Sequence, residues 1–274
     1  MKDDVAIALI SKRAKLLKEM KTKISLLSIC GAACLFFWVS FQQNTAPAAI
    51  FKQLKVENSV KVPTEFHYKS FLFGILYVAD AVLEDAGIRE YKSMIVRHLK
   101  AKAYPVWPIS KIFPFEVSID SYIETRTSLP VMFKQVFNTK EKNTQKEIYY
   151  DQLSGFMQIL GVKRSILPET YEPLSAIYKL RNSDLLNAPE FNLNINSNQK
   201  NYTLTGQTRK QNIRIKDANM EIFNLNGKIF RHDKSPYHRS ELSILFSNDT
   251  QKIPFLIKIF ASGFLITAKL SEVR

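Results

Sequence analysis

Glycine and cysteine are both scarce in this chain of 274 residues, and each scarcity excludes a class of site. None of the 8 glycines stands at the spacing of a GxGxxG or GxxxxGK loop, so the common nucleotide-binding motifs are absent. The 2 cysteines, Cys30 and Cys34, are too few for a disulfide scaffold or a structural zinc site. Both lie in one uncharged apolar run, which excludes thiol catalysis in the exported remainder. We expect no bound cofactor.

The apolar run covers residues 24–41 (ISLLSICGAACLFFWVSF), eighteen positions without a charge. This length lies at the lower limit of a membrane-spanning helix and above that of a typical signal-peptide core. Residues 1–23 in front of it carry seven Lys and Arg against three Asp and Glu. Because basic flanks stay in the cytoplasm, we expect everything after residue 41 to be exported into the periplasm of a bacterial cell envelope.

Whether the apolar run is removed stays open. Ala46-Pro47-Ala48 has the small-x-small form of a signal-peptidase site with cleavage after Ala48, and a start at Met20 rather than Met1 would give a compact signal peptide. The length of the run favours instead an uncleaved, single-pass anchor in the inner membrane. The predicted organisation is a cytoplasmic basic segment at 1–23, the signal peptide or anchor at 24–41, a linker at 42–63 and an exported β-rich domain at 64–274.

Positive charge dominates the chain, with a formal net charge of +14 at pH 7. The basic segment supplies +4 of this (seven minus three) and residues 24–48 supply none, so +10 remains on the exported part. Export excludes nucleic acid as a partner, which leaves a lipid, a glycan or an envelope protein as the expected partners. Scattered lysines that only solubilise a β-rich surface are the alternative interpretation.

Short stretches rich in aromatic and β-branched residues, such as 65–83, predict strands through most of the exported part. Apolar and polar residues alternate clearly in 116–124, 190–196 and 264–270. Such strands, at intervals of about ten residues, are typical of an antiparallel open barrel or sandwich. We therefore predict a mainly β fold with one amphipathic helix, preceded by the N-terminal hydrophobic helix. Residues 104–114, with three prolines, predict a hydrophobic turn or short helix that covers one end of the sheet.

The helical spacing lies in the middle of the exported part. Leu174, Ile177, Tyr178 and Leu180 recur at three- and four-residue intervals, and Pro173 suits the first turn of a helix. The spacing predicts a helix that buries these side chains against the concave face of the sheet.

Three segments together resemble a known family. Residues 172–181 (EPLSAIYKLR) resemble the DPLSALYYLR helix of an exported bacterial family called domain of unknown function 3108. Residues 115–133 resemble its strand pair with a leucine-proline turn, and residues 247–254 (SNDTQKIP) resemble its TDDERRIP turn. The resemblance runs from about residue 64 to the C-terminus and implies an exported β-rich domain with no assigned reaction. The resemblance implies that the following residues form the structural motif of the family: Pro173, Leu174, Ser175, Ala176, Asn248, Asp249 and Pro254.

Two positions depart from the pattern of that family. Gln251-Lys252 stands where the family has two arginines, and Ile244 or Leu245 stands where it has a tryptophan. Any anion site or aromatic platform that the family builds at these positions is weakened in this chain.

The best candidate metal ligands are His232, Asp233 and His238, which lie within seven residues of one another. Three flanking Lys and Arg side chains oppose a divalent cation, so we interpret the segment as a polar hairpin tip and predict no metal site.

No catalytic residue is predicted. The chain has no GxSxG elbow that would nominate a serine nucleophile. Glu84-Asp85 beside Ala86-Gly87 predicts an acidic β-turn, and Asp249 is interpreted as a side chain that caps its own turn. His67 and His98 are interpreted as ordinary histidines of strands.

These features favour a non-catalytic binding or carrier module for a lipid, a glycan or an envelope protein, since small barrels often hold ligands in their concave face. The many aromatics, 19 Phe and 11 Tyr, suit an apolar ligand but serve equally well to fill a core. One alternative is a membrane-anchored structural or assembly factor that acts through residues 1–23. The other is an envelope hydrolase whose site only the fold would assemble.

Overall fold

The computed structural model describes residues 65–215, 218–233 and 240–274. The predicted basic segment at 1–23, the signal peptide or anchor at 24–41 and the linker at 42–63 lie outside the described residues. Within the described ranges, no helix combines the length and the apolar character needed to cross a bilayer.

Strands account for most of the described residues, which confirms the prediction of a mainly β fold. The fifteen strands are β1 (Glu65–Leu72), β2 (Leu76–Tyr91), β3 (Met94–Pro105), β4 (Phe115–Glu124), β5 (Pro130–Thr139), β6 (Asn143–Asp151), β7 (Phe156–Ile159), β8 (Val162–Ser165), β9 (Thr170–Tyr171), β10 (Glu190–Ser197), β11 (Lys200–Ile215), β12 (Ala218–Arg231), β13 (Ser240–Ser247), β14 (Pro254–Ala261) and β15 (Phe264–Val273). The described residues contain two helices: α1 (Ile109–Ile112), inside the predicted proline-rich cover, and α2 (Pro173–Arg181), which contains the residues of the predicted helical spacing.

All fifteen strands of the described ranges belong to one sheet. Strands β1 to β8 pair in sequence order, as do β10 to β15, and every pair within these two runs is antiparallel. The last strand, β15, pairs with β1 and so joins the two runs, while β9 pairs parallel to β10. The described strands therefore form the continuous sheet expected of an open barrel, rather than the two separate sheets of a sandwich.

The period of two along the strands decides which side chains are buried. In β1, Phe66, Tyr68, Ser70 and Leu72 are buried, and the residues between them are only partly covered. In β4 the same alternation buries every second residue from Phe115 to Ile123. This side-chain alternation is the physical origin of the apolar pattern in the sequence.

The buried face carries two hydrophobic cores. The first core is built mainly by β2 to β7 and includes Val78, Leu99, Ile119, Phe133, Ile148 and Met157. The second core is built mainly by β11 to β15 and includes Leu204, Ile222, Leu225, Ile244, Phe246 and Ile257. Helix α2 connects them, because Leu174 packs into the first core and Leu180 into the second.

Two local predictions differ from the structure. The stretch 65–83 is interrupted by a turn at Phe73-Gly74-Ile75, in which Phe73 and Gly74 adopt positive φ values of 52° and 76°. The predicted acidic turn at Glu84-Asp85 is wrong, since both residues lie inside β2. Their carboxylates pair across the ladder with cations of β3: Glu84 with the Lys100 ammonium at 3.0 Å, and Asp85 with the Arg97 guanidinium at 2.7 Å.

The β11–β12 ladder depends on two glycines that face each other. Gly206 pairs with Gly227, and the ring of Phe191 lies over both. A Cβ atom on Gly206 would lie 2.1 Å from the backbone oxygen of Asn226 and 2.6 Å from the Phe191 ring. Backbone and ring thus occupy the space that any other side chain would need.

Candidate functional site

A buried carboxylate starts helix α2. Glu172 is 1% exposed and is the N-cap residue of the helix. Its carboxylate accepts hydrogen bonds from the Leu174 N–H (2.8 Å), the Ser175 N–H (2.5 Å) and the hydroxyl of Ser121 on β4 (2.7 Å). Each donor would otherwise be buried without a partner, so the carboxylate fixes the start of the helix to the first half of the sheet.

The cap is reciprocal. The Glu172 N–H donates to the Ser175 hydroxyl oxygen (3.0 Å), which completes a capping box with the two residue types in the reverse of their usual order. Burial raises the pKa of Glu172, and the hydrogen bonds from Ser121, Leu174 and Ser175 act in the opposite direction. The EPLS segment therefore folds as a cap because its carboxylate and hydroxyl satisfy the first turn.

A polar cleft opens beside this cap, between the β5–β6 side of the sheet and strand β10. This seam cleft is narrow and partly open to solvent, and the space inside it is that of about one water-sized group. Its lining combines charged, amide, hydroxyl and aromatic side chains: Phe133, Gln135, Lys146, Ile148, Tyr150, Glu172, Pro173, Asn196, Ser197 and Asn198.

Lys146 is the cation of the seam cleft. It is half buried, and burial lowers the pKa of its ammonium. The ammonium donates to Asn198 Oδ1 at 3.1 Å, across the gap from β6 to the β10–β11 turn. Two further hydrogen bonds reach the end of the first run of strands: Asn194 Nδ2 on β10 donates to the Pro168 carbonyl just after β8 (2.8 Å), and Asn201 Nδ2 on β11 donates to the Ser165 carbonyl at the end of β8 (3.2 Å). The cleft therefore lies where the two runs of strands meet through side chains.

Asn196 supplies an unused acceptor at the same place. The residue is 1% exposed, and its Nδ2 donates to Asn201 Oδ1 at 2.9 Å. Its Oδ1 has no hydrogen-bond partner in the described part of the chain. The neighbouring Tyr150 hydroxyl has its pKa raised well above the ordinary value by burial and then by the Glu172 charge. The lining can thus donate to an anion and accept from a hydroxyl, which suits a polar ligand group.

The sequence contains no signal that would have identified these lining groups. Lys146 lies in the polar first half of β6, Asn196 is an ordinary member of a polar-apolar alternation, and 50 residues separate them along the chain. Only the return of the chain after α2 brings β10 opposite β6.

The predicted weak metal ligands are engaged in other contacts. The His232 Nε2 lies 2.5 Å from the Thr203 hydroxyl, and the Asp233 carboxylate pairs with Arg231. His238 lies outside the described residues. No group of three or more His, Cys, Asp or Glu side chains with metal-binding geometry occurs in the ranges that the structure describes.

His98 is buried in a pair that the sequence does not reveal. Its Nε2 lies 2.7 Å from Asp120 Oδ1 across the β3–β4 ladder, and its ring stacks on Tyr122 with centroids 4.3 Å apart. The hydrogen bond with His98 lowers the pKa of Asp120. The other ring nitrogen has no partner among the described residues, so the pair lacks the hydroxyl nucleophile of a catalytic triad.

The downstream motif residues have structural contacts. Asp249 Oδ1 accepts from the N–H groups of Gln251 and Lys252, both at 2.9 Å, as expected of a turn cap. The Asn248 amide donates to Glu221, and the Pro254 carbonyl accepts from the buried Tyr68 hydroxyl at 2.7 Å. Upstream, Leu174, Ser175 and Ala176 are buried in α2, directly after Pro173 in its first turn.

Comparison with known proteins supports the fold. No family model and no curated protein matches the sequence. Among solved structures, the chain is similar to a β-barrel-like protein of the domain of unknown function DUF1849 from Brucella abortus, with a TM-score of 0.50 and 10% sequence identity. The match covers 77% of this chain and 97% of that protein. At this identity the similarity shows a β-barrel-like fold and nothing of a ligand or an activity.

Proposed function

We propose that this domain is a non-catalytic binding module of the bacterial cell envelope that takes the end group of an acidic glycan in the seam cleft. The observation that carries the proposal is the convergence of the Lys146 ammonium and the unpartnered Asn196 amide oxygen in one partly open cleft. An ammonium binds a carboxylate, and an amide oxygen accepts from a sugar hydroxyl.

The two hydrophobic cores favour binding at the seam over the carrying of a whole lipid. A lipid carrier needs an apolar cavity that encloses an acyl chain. In this sheet, the buried face is packed with the side chains of the first and second cores and with α2. The seam cleft has room only for a small polar group, such as the carboxylate of an acidic sugar.

The place in the cell envelope rests on the sequence. The basic residues 1–23 and the apolar residues 24–41 support export, with the domain either anchored in the inner membrane or released into the periplasm. We also propose membership of domain of unknown function 3108. The EPLSAIYKLR segment supports it, since this segment forms the capped helix α2.

Isothermal titration calorimetry of the full chain tests the binding function. We expect an oligosaccharide of hexuronic acid to bind and a neutral oligosaccharide of the same length to bind more weakly. Lys146→Met should lower the affinity for the acidic probe about ten-fold or more, the effect of one lost charge-assisted hydrogen bond. The matched control is Lys140→Met, in the exposed turn between β5 and β6, which should bind as the wild type does.

Two results would replace this proposal. Failure of the wild type to bind either oligosaccharide removes the glycan ligand. A lipid that copurifies with the chain and is identified by extraction and mass spectrometry would favour the carrier function instead.

A further inference from the structure

One end of the sheet exposes a group of large apolar side chains. Trp107 is 71% exposed, Ile112 81%, Ile75 67% and Phe73 48%. They lie in the β1–β2 turn and in the loop that contains α1, and partly exposed aromatic residues of the adjoining strands continue the surface. This aromatic tip consists of Phe71, Phe73, Ile75, Tyr77, Tyr104, Trp107 and Ile112.

The aromatic tip is continuous, because its parts lie on neighbouring strands. The rings of Phe71 and Tyr77 face each other across the β1–β2 ladder with centroids 5.5 Å apart. On the neighbouring strand β3, Tyr104 pairs with Asp80 of β2. The N–H of Val106, directly before Trp107, donates to the carbonyl of the β2 residue next to Tyr77.

Lysines accompany these rings. The Lys269 ammonium lies 4.6 Å from the centroid of the Phe71 ring, Lys69 lies 5.7 Å from that of Tyr77, and Lys111 lies 5.7 Å from that of Trp107. The carboxylate of Asp80 is within the same surface, where it accepts the hydroxyl hydrogen of Tyr77. Three ammonium groups against one carboxylate give the aromatic tip a net positive charge.

The opposite end of the sheet also exposes apolar side chains, and charges of both signs lie beside them. Ile95, at the start of β3, pairs across the ladder with Glu90, and the adjacent Val96 pairs with Glu124. Leu153 lies in a turn that is capped by the Asp151 carboxylate. Cations lie at this end too: Arg89 pairs with Val96 across the β2–β3 ladder, and the Lys92 ammonium lies 4.3 Å from the centroid of the Tyr149 ring. The aromatic tip differs from this end in its exposed tryptophan and in the three separate lysines that lie over its rings.

We propose that the aromatic tip docks on the surface of an anionic phospholipid bilayer. Tryptophan and tyrosine favour the boundary between headgroups and acyl chains, where the ring is apolar and its polar atom stays hydrated. Exposed Ile75 and Ile112 enter the acyl region, and the three lysines contact anionic headgroups. This docking uses neither Lys146 nor Asn196, so it stands independently of the glycan site.

The fluorescence of Trp107 tests the docking in the full chain. The chain has 2 tryptophans, Trp38 and Trp107, so Trp38→Phe makes Trp107 the single reporter. The protein is reconstituted in vesicles of equal parts phosphatidylcholine and phosphatidylglycerol that carry brominated acyl chains. We expect a blue shift and quenching of Trp107, both weaker in phosphatidylcholine alone and at high salt. Lys111→Gln should lower the ratio of quenched to unquenched Trp107 about five-fold.

A probe at the opposite end provides the matched control. The variant Trp38→Phe, Trp107→Phe and Ile95→Trp reports from an exposed position at the far end of β3, and its fluorescence should stay unquenched. Because the reporters sit on the domain, insertion of residues 24–41 alone does not produce the signal. Equal quenching at both positions, or equal quenching in neutral and anionic vesicles, overturns the proposal. A blue shift that grows with protein concentration without quenching overturns it in favour of a second copy of the chain.

Discussion

The start of helix α2 buries a charged group, whereas the aromatic tip exposes large apolar groups. At the start of α2, the carboxylate of Glu172 is buried, and three donors occupy its two oxygens. At the tip, Trp107 and Ile112 face solvent, where they add little to the stability of the fold. Both sites depart from the usual distribution, in which charged groups are exposed and large apolar groups are buried. The buried carboxylate is explained by contacts inside the chain, whereas the exposed apolar side chains need a partner outside it.

The largest expected effect is the loss of folding when the buried face of α2 is charged. Leu174 packs into the first core, and truncation of a buried leucine alone costs about 2–5 kcal/mol. Leu174→Asp adds a buried, unpaired charge, so we expect the domain to unfold or fail to accumulate. Lys179→Ala, on the more exposed side of the same helix, should leave the melting temperature nearly unchanged. Equal melting temperatures for the two variants would show that α2 is a detachable surface element.

The next largest effect is expected at the cap itself. Glu172→Ala leaves the Ser121 hydroxyl and two N–H groups of the first turn without their acceptor, which should lower the free energy of unfolding by about 2–3 kcal/mol. Urea unfolding of Glu172→Ala, Ser121→Ala and the double variant measures the coupling between the two side chains. Additive losses would mean that the 2.7 Å hydrogen bond from Ser121 contributes nothing beyond the cap.

The local part of this arrangement could be predicted from the sequence. The spacing of Leu174, Ile177 and Leu180 predicted α2, since a helix of period 3.6 places such residues on one face. Alternation in 116–124 and 264–270 likewise predicted β4 and β15. Where local signals compete, the prediction fails: Glu84-Asp85 has turn composition, but its ion pairs with β3 hold it in a strand.

The long-range part could not be predicted. Ser121 and Glu172 lie 51 residues apart, and His98 and Asp120 lie 22 apart. Each contact depends on the register of a strand pair, which no single segment encodes. The seam cleft is an extreme case because it forms only after β9 and β10 join the sheet. The sequence could show that Trp107 lies in the proline-rich segment 104–114. It could not show that the Trp107 side chain stays exposed to solvent.

A smaller effect is expected in the pH dependence of stability. Because burial raises the pKa of Glu172, the folded chain holds this proton more tightly than the unfolded chain. Its contribution is therefore present below the ordinary pKa of a glutamate and is lost as the pH rises through the raised pKa. Subtracting the stability of Glu172→Gln from that of the wild type at each pH should give a curve that falls over this window and is flat outside it.

Asp120→Asn provides a comparison of opposite sign. The hydrogen bond with His98 lowers the pKa of Asp120, so its contribution is present above the ordinary pKa of an aspartate and is lost as the pH falls through the lowered value. The wild type minus Asp120→Asn should therefore rise with pH below the ordinary pKa of an aspartate, whereas the Glu172 curve falls above the ordinary pKa of a glutamate. Two curves of the same sign would contradict the burial that we assign to Glu172.

The smallest expected effect on stability is at the aromatic tip. Ile112 is the most exposed member of the tip, so Ile112→Ser removes little buried surface and should change the free energy of unfolding by less than about 0.5 kcal/mol. Its neighbour in α1, Ile109, is buried, and Ile109→Ser should cost several times more because a hydroxyl replaces packed methyl groups. Urea unfolding in the absence of lipid compares the two. If Ile112→Ser destabilises the domain as much as Ile109→Ser does, the tip serves the fold, and its exposed side chains need no bilayer to explain them. If only Ile109→Ser destabilises the domain, the Ile112 side chain contributes nothing to folding stability. That is the result expected of a residue whose role is to contact a partner surface.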